Sequence, residues 1–285
     1  MYFGGPSGTP VLTSSGRVGG DEVVLIDAGS DKDAGKKALR VIERNGWTLK
    51  AVFVTHSHAD HIGGCRILQE RTDCKIYAKG LECSFTRDPI LEPSCFYGGL
   101  PFADLKHKFL LAQESDCLAL SEDVLPDGMK ILPLPGHCFD MVGFLTKDGT
   151  AYIGDSVSSE VTIEKYGIGY LWDPCLTLET LEYLKNFSAA RYVPSHSPVT
   201  EDIAPLADIN IRSIGCVMEK IAAFSEDGVT FEVLLKKVFG AYGLVLNPVQ
   251  YVLIGSTLRS YLSALYTHGK VKFEFCENEM VWKTV

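Results

Sequence analysis

The chain has 285 residues, of which 46% are hydrophobic, and a formal net charge of −9. This length allows one large domain or two modest ones, and no apolar run is long enough to cross a membrane as a helix. The negative charge argues against general affinity for nucleic acid or for anionic membranes. Nine scattered cysteines without a CxxC pair fit reduced thiols better than disulfides, so we expect a cytoplasmic location.

Strands and helices alternate in the first eighty residues. Short apolar runs predict strands at Val23–Ile26, Ala51–Val54 and Lys75–Ala78. Apolar residues at helical spacing predict a helix over Asp33–Asn45, and a second, short helix runs through Leu68. This rhythm is typical of an α/β layered sheet.

Residues 81–120 interrupt the rhythm. Prolines and glycines break any regular element there, yet the segment is rich in Phe, Tyr and Leu. A long loop without structure is uncommon unless it is functional. We therefore expect an apolar insertion near the site that acts as a lid or pocket wall. A small packed subdomain or a dimer contact is an equally good interpretation.

Regular elements return after this insertion. The pattern predicts a strand at Met129–Leu134 and a hairpin that turns at Asp148–Gly149. A helix over Leu176–Phe187 and a strand at Arg191–Pro194 follow. The sequence thus continues the α/β pattern up to about residue 200.

The composition becomes helical after about residue 203. Three helices are predicted, at Leu206–Phe224, Val229–Phe239 and Val249–Tyr266, and two strands follow in an arrangement that resembles a winged-helix unit. We predict a catalytic domain at 1–203 and a C-terminal region at 204–285. That region has equal numbers of acidic and basic residues, which favours packing, dimerisation or pocket completion over DNA binding.

Potential metal ligands concentrate directly after the strand at Ala51–Val54. His56, His58, Asp60 and His61 lie within six residues. Residues two apart in an extended chain point to the same side. His56, His58 and Asp60 should therefore converge, whereas His61 should point elsewhere.

Three later strands each end in a single His or Asp, and small residues flank it. Five histidines and two aspartates in total are enough for two adjacent metal ions, because imidazole and carboxylate both bind divalent metals. One site would hold His56, His58 and His137, the other would hold Asp60, His61 and His196, and Asp155 would bridge the two.

The chemistry follows from such a pair of cations. They lower the pKa of a shared water so that a bridging hydroxide exists near neutral pH. That hydroxide attacks a carbonyl or phosphorus centre, and a metal stabilises the oxyanion or the leaving group. Zinc is the expected metal, although iron or manganese would accept the same donors.

The pattern His56-x-His58-x-Asp60-His61, with His137, Asp155 and His196 downstream, resembles that of the metallo-β-lactamase fold superfamily. Leu25–Gly29 is similar to the first motif of that family, and Gly136-His137 and Gly154-Asp155 are similar to later ones. The resemblance implies a four-layer αβ/βα sandwich of the α/β class with the site at one edge, here followed by a mostly helical, winged-helix-like extension. It also implies that Asp27 supports the metal site without binding metal, although a plain turn aspartate is an equal alternative.

Two positions distinguish branches of the family. Flavodiiron oxygen reductases carry Glu at the position of His58, and some zinc β-lactamases carry Cys at that of Asp155. The pattern is closer to the glyoxalase II-like hydrolases. However, Ser156–Glu160 does not resemble the glutathione-contacting stretch of glyoxalase II, and Ser158 stands where acyl-homoserine lactonases often have Tyr.

The expected function is a dinuclear metal-dependent hydrolase that cleaves a small ester, thioester or lactone, with Asp60 and Asp155 as catalytic residues. A phosphodiesterase or endoribonuclease of the same superfamily is one alternative, suggested by the C-terminal region. A non-catalytic metal-binding module is another. The expected partner is a small-molecule substrate, and we expect no binding to membranes. Nucleic acid is disfavoured as a partner, and a homodimer is possible.

Overall fold

The computed structural model describes residues 11–14 and 21–285, so parts of the predicted first domain, 1–10 and 15–20, lie outside it. The first of its sheets consists, in spatial order, of β1 (Val11–Ser14), β2 (Glu22–Ile26), β3 (Thr48–Phe53), β4 (Lys75–Ala78) and β5 (Cys117–Ala119). β1 is antiparallel to β2, and the later pairs are parallel.

A second sheet of four strands faces the first. In spatial order it consists of β6 (Lys130–Pro133), β7 (Val142–Leu145), β8 (Thr150–Gly154) and β9 (Arg191–Pro194). The first two pairs are antiparallel, and β8 and β9 are parallel. The predicted ligands follow the ends of β3, β6, β8 and β9.

Helices connect the strands of both sheets. Those of the first half are α1 (Lys32–Arg44), α2 (Ala59–Ile62), α3 (Cys65–Thr72), α4 (Gly80–Arg87) and α5 (Leu91–Tyr97). Those of the second half are α6 (Glu160–Tyr166), α7 (Pro174–Asn186), α8 (Ala204–Phe224), α9 (Phe231–Ala241) and α10 (Pro248–Thr267). Within the described residues, no helix is both long enough and apolar enough to cross a membrane.

Hydrophobic clusters hold the layers together. Between the two sheets, Phe53 packs on Phe144 with ring centroids 5.8 Å apart. Ile42 of α1 and Leu68 of α3 cover the outer face of the first sheet. Leu181 of α7 belongs to the cluster on the outer face of the second sheet. These layers confirm the predicted four-layer α/β sandwich.

The predicted absence of regular elements in 81–120 is wrong. α4 and α5 both fall in or at the edge of this segment. Pro93 lies in the first turn of α5, where its missing N–H costs no helical hydrogen bond. Gly98 ends α5 in a left-handed conformation, with φ of 77°. The same residues that suggest a loop thus begin and end a short helix.

The C-terminal region ends in a small sheet. β10 (Val229–Thr230), β12 (Glu279–Thr284) and β11 (Val271–Cys276) pair in that spatial order, and all neighbours are antiparallel. Val229 and Thr230 thus form a strand and not the start of the predicted helix. Ile254 and Leu258 of α10 share a hydrophobic cluster with Ile153 of β8, so the boundary at residue 203 stays a proposal.

Candidate metal centre

The histidine cluster starts where β3 ends. His56 and His58 follow in extended chain, and α2 begins at Ala59. Asp60 and His61 therefore lie on one helical turn, and the expected alternation stops at His58. The expectation that His61 points elsewhere is also wrong, because its Nε2 lies 3.8 Å from Asp60 Oδ2.

Two glycines let this turn approach the end of β2. A Cβ on Gly64 would lie 2.3 Å from the carbonyl oxygen of Ala28, and one on Gly63 would lie 2.4 Å from that of Ser30. The Ala28 amide donates to the His61 carbonyl at 2.7 Å. Only glycine permits this contact, which brings His61 next to the turn that follows β2.

Asp27 occupies that turn with a φ of 60°, a region that Asp enters more readily than most residues. Its buried carboxylate accepts hydrogen bonds from Thr55 N at 2.7 Å, Thr55 Oγ1 at 2.8 Å and His61 Nδ1 at 2.8 Å. A carboxylate only accepts, so Nδ1 of His61 carries a hydrogen and a neutral ring presents its Nε2 lone pair to the cluster. This geometry agrees with the predicted supporting role, which stays a prediction.

The three-histidine group consists of His56, His58 and His137. His58 Nδ1 lies 3.2 Å from His137 Nε2, and the ring centroids of His56 and His137 are 5.0 Å apart. The hydroxyl of Thr55 lies 3.0 Å from His56 Nδ1 and thus leaves Nε2 directed at the cluster. Three imidazoles at these distances suit one divalent ion.

The mixed group consists of Asp60, His61 and His196. Asp60 Oδ2 lies 3.2 Å from His196 Nε2. One ligand atom from each of the three residues lies within 4.8 Å of the other two. A carboxylate with two imidazoles is also a ligand set for a divalent ion.

Asp155 lies between the two groups. Its Oδ1 is 3.2 Å from His61 Nε2, and its Oδ2 is 3.1 Å from His196 Nε2 and 3.7 Å from His137 Nε2. The carboxylate therefore reaches residues of both groups. The structure brings all seven predicted ligands together, and their individual roles remain predictions.

Three buried atoms at the centre of the cluster fit a metal. Within the described residues, His56 Nε2, His61 Nε2 and Asp155 Oδ1 have no hydrogen-bond partner. A buried polar atom without a partner costs free energy, which a coordinated cation would offset. The donor set and these three atoms together fit divalent metal binding, for which His61 must be neutral.

The metal-free pKa values differ between the groups. Burial lowers the pKa of His58 to about 3, and burial likewise lowers those of His56 and His137. Asp155 raises the pKa of His196 to about 10. Burial alone would lower the pKa of His61, but Asp155, Asp60 and Asp27 raise it well above its usual value. The three-histidine group is therefore neutral at pH 7, whereas the mixed group holds protons.

Sequence reasoning missed a buried carboxylate behind the cluster. Glu82 on α4 is fully buried and accepts from Ser57 N at 2.9 Å, Ser57 Oγ at 2.6 Å and Asp140 N at 3.1 Å. It thus ties the backbone between His56 and His58 to the loop after His137. Nothing in the sequence around Glu82 distinguishes it from a surface glutamate of a helix.

Three further neighbours of the histidines were also missed or interpreted otherwise. The Cys138 thiol, which is buried, lies 3.2 Å from His58 Nε2. Tyr170 packs against His58 and His137, with ring centroids 5.0 and 5.6 Å away. Phe96 of α5 packs on His58 at 6.0 Å, so the 81–120 segment does reach the cluster.

A cavity of about 210 Å³ adjoins the cluster at His137, Asp155 and His196. Its polar lining comes from serines, threonines and Asn210, and its apolar lining from residues such as Ile168 and Ile214. None of the described residues that line it is Lys or Arg. A separate groove of about 750 Å³ lies on the other side of Tyr170, which borders both spaces.

Known proteins show similar sequences and folds. Hydroxyacylglutathione hydrolase from Rhodopseudomonas palustris (strain BisB18) is 26% identical over 146 residues, which cover 50% of this chain and 48% of that protein. Probable metallo-hydrolase YqgX from Bacillus subtilis (strain 168) is 26% identical over 137 residues, which cover 48% and 61%. The chain thus spans about half the length of the curated relatives it matches.

A solved structure is similar over nearly the whole chain. Metallo-β-lactamase family protein TTHA1429 from Thermus thermophilus has a TM-score of 0.72 and 18% identity, covering 97% of this chain and 93% of that one. This likeness concerns the fold. The family model for the metallo-β-lactamase superfamily matches residues 8–196, which include all seven predicted ligands. The chain therefore belongs to the metallo-β-lactamase superfamily.

Proposed function

We propose that this protein is a hydrolase with two divalent metal ions that cleaves a small ester, thioester or lactone. The observation that carries the proposal is the position of Asp155 between the three-histidine group and the mixed group. When bound, the two cations would lower the pKa of a water so that it loses a proton near neutral pH and can attack as hydroxide. They would also stabilise negative charge on the substrate. Zinc is the expected metal, and iron or manganese fits the same donors.

The chain's own residues would orient the reacting groups. Asp155 has only 13% of its side chain exposed and would hold both halves of the site in register. Asp60 has 38% of its side chain exposed, so solvent reaches it more readily. We propose that Asp60 Oδ2 orients the attacking water by accepting a hydrogen bond from it. Tyr170 and Phe96 would exclude bulk water from the side of His58.

The cavity supports a small uncharged acyl group. A water occupies about 30 Å³ of liquid, so about 210 Å³ holds a group the size of several waters. Substrates that carry phosphate are usually held by Lys or Arg, and neither type lines the cavity among the described residues. This composition favours a carboxylic ester, thioester or lactone over a phosphodiester or RNA.

The hydroxyacylglutathione hydrolase name of several relatives suggests a thioester as the first substrate to test. Glutathione carries two carboxylates, so a hydrolase specific for it needs cations near its leaving-group site. Arg259 lines the larger groove beyond Tyr170. We propose that this groove receives the leaving group, because Arg259 offers a cationic side chain and the described residues that line the smaller cavity include no Lys or Arg.

The test is a substrate panel with metal-reconstituted protein. It compares a phenyl ester, a thioester, a lactone and bis-p-nitrophenyl phosphate. We expect a carboxyl substrate to be cleaved fastest, and Asp60→Asn to lower its kcat/KM about a hundredfold or more. Asp104→Asn changes an exposed aspartate of the 81–120 segment and serves as the matched control. Faster cleavage of the phosphodiester would support the phosphodiesterase alternative, and full metal occupancy without turnover would support a non-catalytic module.

The size of the cavity gives a second test. Ser213 of α8 lines it, so Ser213→Phe should reduce its volume. We expect a rise in KM for long acyl esters and a smaller rise for acetyl esters, with unchanged metal content. An equal effect on both esters would contradict acyl binding in this cavity.

The expected location and partners stay proposals. The nine cysteines are all free, which supports the cytoplasm as a compartment that keeps thiols reduced. The small cavity without basic residues supports a small-molecule substrate and gives nucleic acid no site there. Association with a second copy of the chain also stays a proposal.

A further inference from the structure

We propose that the chain forms a symmetric dimer through the outer edge of β11, by antiparallel pairing with β11 of a second copy centred on Phe273. β11 is the end strand of its sheet and pairs only with β12 among the described residues. Its outer backbone groups are therefore free to pair with another strand. Five of its six residues are exposed.

The register of the β11–β12 hairpin fixes which backbone groups point outward. The Val285 amide donates to the Lys270 carbonyl at 3.1 Å, and Lys270 opposes Val285 in the register that β11 and β12 share. Hydrogen-bonded pairs alternate with non-bonded pairs along an antiparallel ladder. Lys272 and Glu274 thus bond inward to β12, and the N–H and C=O groups of Phe273 point to the free edge.

Charge selects one pairing of two copies. With the twofold axis at Phe273, Lys272 of each copy lies opposite Glu274 of the other. Moving the axis by one residue along the strand places Lys272 opposite Lys272, or Glu274 opposite Glu274. Directly opposed like charges destabilise a strand pair, whereas opposite charges stabilise it. Of these three registers only the Phe273-centred one avoids both clashes, and no other register places Lys272 opposite Glu274.

The existing hairpin leaves these charges unbalanced. Lys272 stands opposite Lys283 of β12, and Glu274 stands opposite the apolar Val281. Among the described residues, neither Lys272 nor Glu274 has an ion-pair partner. In the dimer, Glu274 of the second copy would lie beside Lys272 and balance its charge. Charged residues commonly protect an edge strand from pairing with other strands. The order of Lys272 and Glu274 disfavours strands without complementary charges, whereas it fits β11 of a second copy of the chain.

The opposite face of the hairpin gives apolar contacts to the same pairing. Phe273 is 37% exposed and Phe275 73% exposed, which is unusual for aromatic side chains on a strand. Phe273 already packs on Tyr266 and Trp282, with ring centroids 5.3 and 5.4 Å away. In the proposed register the two Phe273 residues are opposite each other, and the aromatic face becomes continuous across the dimer.

Charge reversal of the full-length protein tests this pairing, with sedimentation velocity as the measurement. We expect a dimer for the unchanged chain, and a dimer weakened about tenfold or more for Lys272→Glu and for Glu274→Lys, because each places like charges together. The two single variants have complementary strands, so their equimolar mixture should form a heterodimer. This recovery also shows that both variants are folded.

Lys236→Glu on α9 is the control, because it makes the same charge change at another exposed position. It should leave the dimer intact. A monomeric unchanged chain, a dimer that survives either single reversal, or a mixture that stays monomeric would each overturn the proposal. Binding of single-stranded RNA by a monomer, lost on Phe275→Ala, would assign this face to RNA and likewise overturn it.

Discussion

Asp27→Asn separates the support of the metal site from the stability of the fold. The substitution keeps the size of the side chain, and one oxygen still accepts from Thr55 N. In the native protein His61 Nδ1 donates to the carboxylate at 2.8 Å. In the variant the amide nitrogen, which is itself a donor, faces that Nδ1. To accept from this amide, His61 must move its hydrogen to Nε2, the atom that faces the cluster.

The size of the effect follows from the bond that changes. A hydrogen bond to a charged group contributes about 1.5–3 kcal/mol, and about 1.4 kcal/mol corresponds to a factor of ten. Residues that orient a metal-binding histidine typically affect metal affinity about 10- to 100-fold. We therefore expect the mixed group to bind its metal about 10- to 100-fold more weakly, while the three-histidine group keeps its affinity.

Titration with a chromophoric chelator measures both affinities, and elemental analysis after dialysis measures occupancy. Asp31→Asn is the matched control, because Asp31 caps α1 four residues away and its carboxylate has no contact with the histidines. If Asp27→Asn binds both metals as tightly as the control does, the proposed shift of the His61 hydrogen to Nε2 is refuted. Equal weakening of both would point to general distortion.

Two further predictions concern protons and packing. Because His61 and His196 have raised pKa values and are protonated in the metal-free protein at pH 7, metal binding should release about three protons, two from these histidines and one from the water that becomes hydroxide, whereas the neutral three-histidine group releases none. Calorimetry in buffers of different ionisation heat measures this number, and zero would contradict the assignment. Gly64→Ala places a Cβ 2.3 Å from the Ala28 carbonyl and should destabilise the fold by about 1–3 kcal/mol. In Gly215→Ala of α8 the added Cβ meets nothing within 4 Å, so this variant should instead stabilise the fold by about 1 kcal/mol. Urea unfolding measures the free energy of unfolding of both variants. Equal changes in the two would contradict this explanation.

Much of the fold was predictable because its elements have strong local patterns. The strands at Lys75–Ala78 and Arg191–Pro194 were predicted with the bounds observed, since apolar runs there are short and sharply ended. α5 was missed because Pro93 and Gly98 look like loop residues unless their positions in the helix are known. α6 was missed because none of its seven residues is buried, so it has no apolar periodicity.

The ligands were predictable because each is a His or Asp at the end of a strand. Their neighbours were not, since Glu82 and Tyr170 reach the histidines through the packing of separate elements. The direction of His61 was mispredicted because the alternation of a strand was extended into α2. Local periodicity gives no information about contacts that only the folded chain creates.

The central claim is that the two groups of ligands hold two metals that act together on one substrate. The most direct measurement is the esterase rate as metal is added stepwise to the metal-free protein, with bound metal counted at each step. We expect a low rate up to one equivalent, then a rise that ends near two equivalents per chain. A rate that is already maximal at one equivalent, or a chain that binds no second metal, would contradict it.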